Sequence, residues 1–211
     1  MSQQLFLDMP RARATTLTLH KSLDARQVDV QARVLRVARR LIRRHGHEMV
    51  GMEQVARAAG VSRATMYRYF TSKEHLVCEA ALAWGHELAR SLSERIGAAA
   101  HGAPLDEVVE RIVAEAESNL PMVRATMASV LATGPVAEQF RVGVREMFRA
   151  LLAGALGVSS SSAGEPMPES LTLLGRVFFA DLALLGAGDL TAAECVLELK
   201  AAARRLMMGQ Q

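Results

Sequence analysis

Aromatic residues make up only 4% of the 211-residue chain, which also has just 6 prolines and 2 cysteines. With so few aromatics and little β-branched alternation there is scant material for strands, so an all-α architecture is expected. Cys78 and Cys195 are too few for a disulfide framework and suit a reducing compartment. No uninterrupted apolar run reaches the roughly 18 residues of a membrane span, and the opening residues lack the basic-then-apolar order of a secretory signal. The expectation is a cytoplasmic protein with no membrane partner. Also missing are a Walker loop, a dinucleotide fingerprint, a GxSxG elbow and an HExxH motif, so no enzyme signature and no cofactor is indicated.

What the chain has instead is Ala, Leu, Val and Arg in helical periods, with half of all residues apolar. Its length allows one large domain or a small head on a larger body. Charge favours the division. Residues 1–77 hold 14 Lys plus Arg against 6 Asp plus Glu, a net +8, while the remainder holds 11 against 16, a net −5. A basic head on an acidic body suits a phosphate-binding domain carried by a second domain that does not bind DNA.

Within the head, residues 52–73 read as two short helices joined by a tight turn. Val55, Ala56 and Ala59 give the first helix a small apolar side that a second helix can approach closely. Gly60 ends it, because glycine takes a left-handed C-cap without strain. Val61 fills the angle, and Ser62 supplies the hydroxyl that accepts from the free N–H groups of the next helix. In that helix Met66 and Phe70 face inward, while Arg63, Ala64, Thr65, Tyr67, Arg68 and Tyr69 remain on the other sides. A helix with an apolar back, small residues at its tip and Arg and Tyr in front suits a major groove about 12 Å wide.

Residues 56–73, Ala-Arg-Ala-Ala-Gly-Val-Ser-Arg-Ala-Thr-Met-Tyr-Arg-Tyr-Phe-Thr-Ser-Lys, resemble the signature of TetR-type bacterial transcriptional regulators, and the resemblance is densest over residues 34–82. It implies an all-helical homodimer that represses promoters and releases DNA when a small molecule binds. It implies phosphate contacts at Tyr67 and Lys73, and a dimer interface made by the last two helices of each subunit. Gly51 departs from the family, which commonly has Thr or Ser there, so a hydroxyl able to touch phosphate is absent.

The division expected is an irregular basic arm over 1–27, a three-helix helix-turn-helix head over 28–76, and an effector-binding and dimerisation body over 77–211. The first helix should run from Val28 to His45, with Arg33, Arg36, Arg40, Arg43 and Arg44 around its polar side, either as a solvated face or with one or two of them on phosphate. His45 and His47 flank Gly46 without a third ligand, and His75, Cys78 and His86 lie among leucines, so neither group is read as a metal site. A capping box of Thr71 and Glu74, or alternatively Ser72, opens a long helix from Lys73. Trp84 is expected to anchor head to body.

Beyond a break at 97–104, the body reads as five further helices, with a serine-rich loop at 159–162. Its Met and Phe residues can line an adaptable apolar effector pocket, for which Met122, Met127, Phe148 and Phe178 are the candidates. Asn119, Arg124, Thr126, Thr172, Arg176 and Asp181 are the polar groups that could orient a ligand there. Asp181, in an apolar stretch, needs a cation, an interface or water. Leu171, Leu174, Leu199 and Leu206 help give the last two helices more apolar surface than one pair hides, which predicts dimerisation. The expected partners are double-stranded DNA, a second copy and a small effector. A DNA-architectural protein without an effector is the alternative, and it would lack a closed pocket.

Overall fold

The computed structural model describes residues 24–98, 105–156 and 169–208, which among them form nine α-helices and no strand. Most of the N-terminal arm and the serine-rich loop lie outside the described residues. Helix α1, Ala25–His45, starts three residues before the expected Val28. Asp24 is the reason. Its carboxylate accepts from Gln27 N–H at 2.8 Å while Gln27 Oε1 accepts from Asp24 N–H at 3.1 Å, a reciprocal capping box.

Helices α2, Met52–Ala59, and α3, Arg63–Tyr69, complete the head. Val34, Ala38 and Ile42 of α1 meet Val55 and Ala56 of α2 and Met66 of α3 in one apolar core that Phe70 completes. Helix α4, Lys73–Ala98, then leaves the head and enters the body, packing on α1.

The body is built from α5, Leu105–Ser118, α6, Leu120–Leu131, α7, Pro135–Leu156, α8, Glu169–Ala187, and α9, Ala192–Met208. Pro121 marks the break between α5 and α6, which falls at Asn119. It sits in the first turn of α6, where its missing N–H would have no helical partner anyway. Helix α7 lies along α4, and the two approach closely at Gly85, where an added Cβ would stand 2.6 Å from Met147 Sδ.

By length and composition α8 is apolar enough to cross a membrane, although Arg176 and Asp181 divide its apolar run. In the fold it packs against α9 and α6, with Leu174, Phe178 and Leu185 buried. Helix α9 also packs on α5, reinforced by ion pairs from Lys200 to Glu110 and from Arg204 to Asp106. Leu171, Leu174 and Leu199 are therefore consumed inside one protomer, Leu199 completely. Among the described residues, the large apolar groups left exposed on this pair are Leu173, Leu184 and Leu197, the last 68% exposed.

Candidate nucleic-acid interface and apolar cavity

The turn of the head follows the backbone logic of its sequence. Gly60 adopts φ 65° and ψ 39°, and the N–H of Val61 returns to Ala56 O at 3.0 Å. This left-handed exit turns the chain within three residues. Ser62 Oγ then accepts from Thr65 N–H at 3.1 Å and lies 2.9 Å from Thr65 Oγ1, so α3 begins with its free donors partly satisfied. Gly51 opens α2 without a side-chain cap; only Gln54 Oε1 reaches back to the Gly51 N–H.

Of the seven residues expected to face DNA, Arg63, Ala64, Tyr67 and Arg68 are exposed and Thr65 and Lys73 half-exposed. Arg63 holds an exposed ion pair with Glu53 of α2 at 2.8 Å. Such a surface pair is worth little in water and yields readily to a better acceptor. Lys73 Nζ donates to the carbonyl of Glu48, which brings the ammonium beside the loop before α2.

Tyr69 is a correction. It is only 3% exposed, with its hydroxyl buried and unpartnered. Position 69 is three after Met66 and adjoins Phe70, so the ring completes the buried stripe of α3 instead of standing beside Tyr67. The guanidinium of Arg68 lies over the Tyr69 ring at 5.2 Å from its centre.

The start of α4 is capped by Ser72, whose Oγ accepts from His75 N–H at 3.1 Å, and not by Thr71. The N–H of Thr71 is occupied by His75 Nδ1 at 3.2 Å. That bond makes Nδ1 an acceptor and leaves the ring proton on Nε2, which lies 3.7 Å from Glu79 Oε1. His75 is thus a buried structural link at the junction, stacked edge-on against Phe70 at 5.8 Å. Further along, Arg39 of α1 clasps Glu87 of α4 through bonds of 2.6 and 2.8 Å. The Arg39 guanidinium holds the Glu87 carboxyl below its usual range.

In the body an apolar cavity of about 90 Å3 lies between α4, α5, α6, α7 and α8. Met127, Phe148 and Phe178 line it as expected, joined by Trp84, Leu88 and Met147. The Phe148 and Phe178 rings meet edge-to-face at 5.4 Å between centres. Met122 is a second correction. It is fully buried but outside the cavity, which begins one turn further along α6 at Thr126.

Among the polar candidates only Thr126 reaches the cavity, and its hydroxyl donates to Met122 O at 2.9 Å. Asn119 donates to Glu115 Oε1, Arg124 donates to Gly186 O, and Arg176 is exposed. Trp84 Nε1 donates to Glu115 Oε1 at 3.3 Å, which ties α4 to α5 within the body. Asp181 is 4% exposed with Oδ2 unpartnered, and burial, aided by Glu198, pushes its carboxyl up to about 6. Burial, with Asp181 and Glu198 nearby, raises the Cys195 thiol to about 12.

Residues 34–80 match the family model described as bacterial regulatory proteins, tetR family. HTH-type transcriptional regulators of two Mycobacterium tuberculosis strains are 36% identical over 138 residues, covering 64% of this chain. The match spans 65% of the length of those relatives. Among solved structures, a TetR transcriptional regulator from Rhodococcus sp. superposes with a TM-score of 0.69 at 20% identity, covering 86% of this chain and 97% of that one. The Thermus thermophilus repressor FadR, solved with lauroyl-CoA, gives 0.67 at 21% identity, covering 86% of this chain and 95% of its own.

Proposed function

We propose, on the premise that residues 34–80 belong to the tetR family of bacterial regulatory proteins and that the described chain has the fold of its solved members, that this protein is a ligand-responsive transcriptional repressor. It works in the cytoplasm as a homodimer on a palindromic operator and is not an enzyme. The working division is the arm ahead of the Asp24 cap, the head from α1 to residue 76 and the body at 77–211. Arg63 and Arg68 read base edges, and Ala64 at the tip of α3 allows close approach. Thr65, Tyr67 and Lys73 hold phosphates, which set register without reading sequence. Tyr69 supports this surface from beneath.

The observation that carries the reading is the path of α4. Its first turn, with Lys73 on the Glu48 carbonyl, follows α3 after a link of three residues, and Trp84 and Leu88 three to four turns later line the apolar cavity. One rigid helix therefore borders both surfaces. The cavity, at about 90 Å3, is smaller than the ~150 Å3 that accommodates benzene. An effector must widen it, and the helices it pushes apart include α4. Binding then favours the displaced state over the closed one, which is the differential affinity that a switch requires. The lining of Phe148, Phe178, Met127 and Met147 suits an aliphatic chain, and the lauroyl-CoA of the Thermus relative supports an acyl compound.

Dimerisation supplies the second half-site, and Leu173, Leu184 and Leu197 on α8 and α9 are the groups available for it. The test selects duplexes from a random library with the full chain, then titrates the enriched duplex with a long-chain acyl-CoA. The expected result is a palindrome whose half-sites lie about 34 Å or a multiple apart. Affinity should fall roughly 5- to 150-fold with ligand, a coupling of about 1 to 3 kcal/mol. Equal binding to all sequences would favour a DNA-architectural protein.

A further inference from the structure

Arg36, Arg39, Arg40, Arg43 and Arg44 of α1 line one open cleft of about 320 Å3, bounded on the other side by Glu87 of α4. Their spacing of three and four residues puts all five on one face, away from the stripe of Val34, Ala38 and Ile42. Glu87 neutralises Arg39. Among the described residues, Arg36, Arg40, Arg43 and Arg44 have no carboxylate within 4.0 Å.

Like charges at this spacing oppose helix formation. The negative end of the helix favours Arg43 and Arg44 in the last turn, but Arg36 and Arg40 lie too far back to benefit. The row therefore carries a repulsion that a bound anion would relieve. Its Glu87 end stands apart from the DNA-facing surface. Glu87 is fourteen residues from Lys73 along α4, about 21 Å at 1.5 Å per residue.

We propose that this cleft is an anion site for a small molecule with adjacent phosphoryl groups, such as a diphosphate or the phosphorylated end of a larger metabolite. Planar guanidinium groups take phosphate oxygens in pairs, and several converging on one hollow select multiply charged ligands over chloride. The volume lies at the lower end of small-molecule sites, roughly 300–1,000 Å3. The hollow shape and the carboxylate in its wall favour a compact anion over the continuous backbone of a duplex. A ligand there competes with Glu87 for Arg39, and so loosens the clasp between α1 and α4.

Inorganic pyrophosphate is the probe, titrated calorimetrically into the full chain at constant ionic strength. The parent should bind it saturably. The double variant Arg40→Ala with Arg43→Ala, whose two side chains are exposed and whose melting temperature checks its fold, should bind about tenfold more weakly or worse, for two charge-assisted bonds lost. Glu87→Gln should tighten binding by removing the competitor, while Glu138→Gln, the same charge change on exposed α7 surface, should not. Equal isotherms for parent and double variant would overturn the proposal, as would equal tightening by the two glutamine variants. It would also fall if the double variant lost affinity for random duplex while its pyrophosphate isotherm stayed that of the parent, since the arginines would then be tracking DNA.

Discussion

Asp181→Asn isolates the cost of burying one carboxylate between α8 and α9. Asp181 is 4% exposed, its Oδ2 has no partner, and Glu198 adds repulsion, so its carboxyl is raised from 3.8 to about 6 in the folded chain. Between these values the folded state holds a proton that the unfolded state has released. Stability is thus greater at low pH and is lost as pH rises through about 4 to 6. A shift of this size corresponds to about 3 kcal/mol, most of which falls between pH 4 and 7. Asparagine does not titrate. Its amide brings donors that are costly if unmet, so the change in the stability difference with pH is the quantity to read. Urea unfolding of parent and variant, at one fixed protein concentration and several pH values, should show the variant gaining about 2 kcal/mol on the parent between pH 4 and 7. Other titrating groups are common to both proteins and cancel. A flat difference would refute the buried, unpaired carboxylate, and a gain by the parent would mean that a cation meets Asp181 in the assembled protein.

Arg63→Ala should relax base preference, whereas Lys73→Ala should weaken all duplexes and reduce the salt slope by about 1; anisotropy on cognate and random DNA separates them, and equal losses for Arg63→Ala would remove its reading role. Leu197→Arg should give folded monomers, because Leu197 is exposed in the protomer, while Leu199→Arg should unfold the chain from its fully buried site. Sedimentation of Leu197→Arg still dimeric at micromolar concentration would put the interface elsewhere. Gly85→Ala should press on the flexible end of Met147 and drive it toward the cavity, changing stability by no more than about 1 kcal/mol but weakening an acyl effector. Unchanged effector affinity in that variant would mean the ligand lies elsewhere.

The helix-turn-helix was legible because its geometry is dictated by backbone requirements carried on single residues. A left-handed exit calls for Gly60, and the first free donors of α3 call for Ser62. The start of α1 was equally written, in Asp24 and Gln27, but a search for apolar stripes overlooks a cap that precedes the stripe. Tyr69 was misplaced because counting every fourth residue from Met66 neglects the third, which also lies on the buried face. The body was legible as helices and not as depth. Periodicity assigns Met122 and Thr126 to one side of α6, but where the cavity ends depends on the neighbours α4, α7 and α8 supply. The surplus of leucine on the last two helices likewise could not reveal that α5 would cover Leu199.

The small cavity has a consequence in time as well as in energy. A ligand that finds no room waits for the helices to part, so its association rate at high concentration approaches the rate at which the body opens and stops rising. The promoter would then respond no faster than α4 and α7 separate at Gly85 and Met147, however abundant the ligand becomes. A pulse of effector shorter than that opening time would pass without effect, which makes the tightness of the packing around Phe148 a filter on duration.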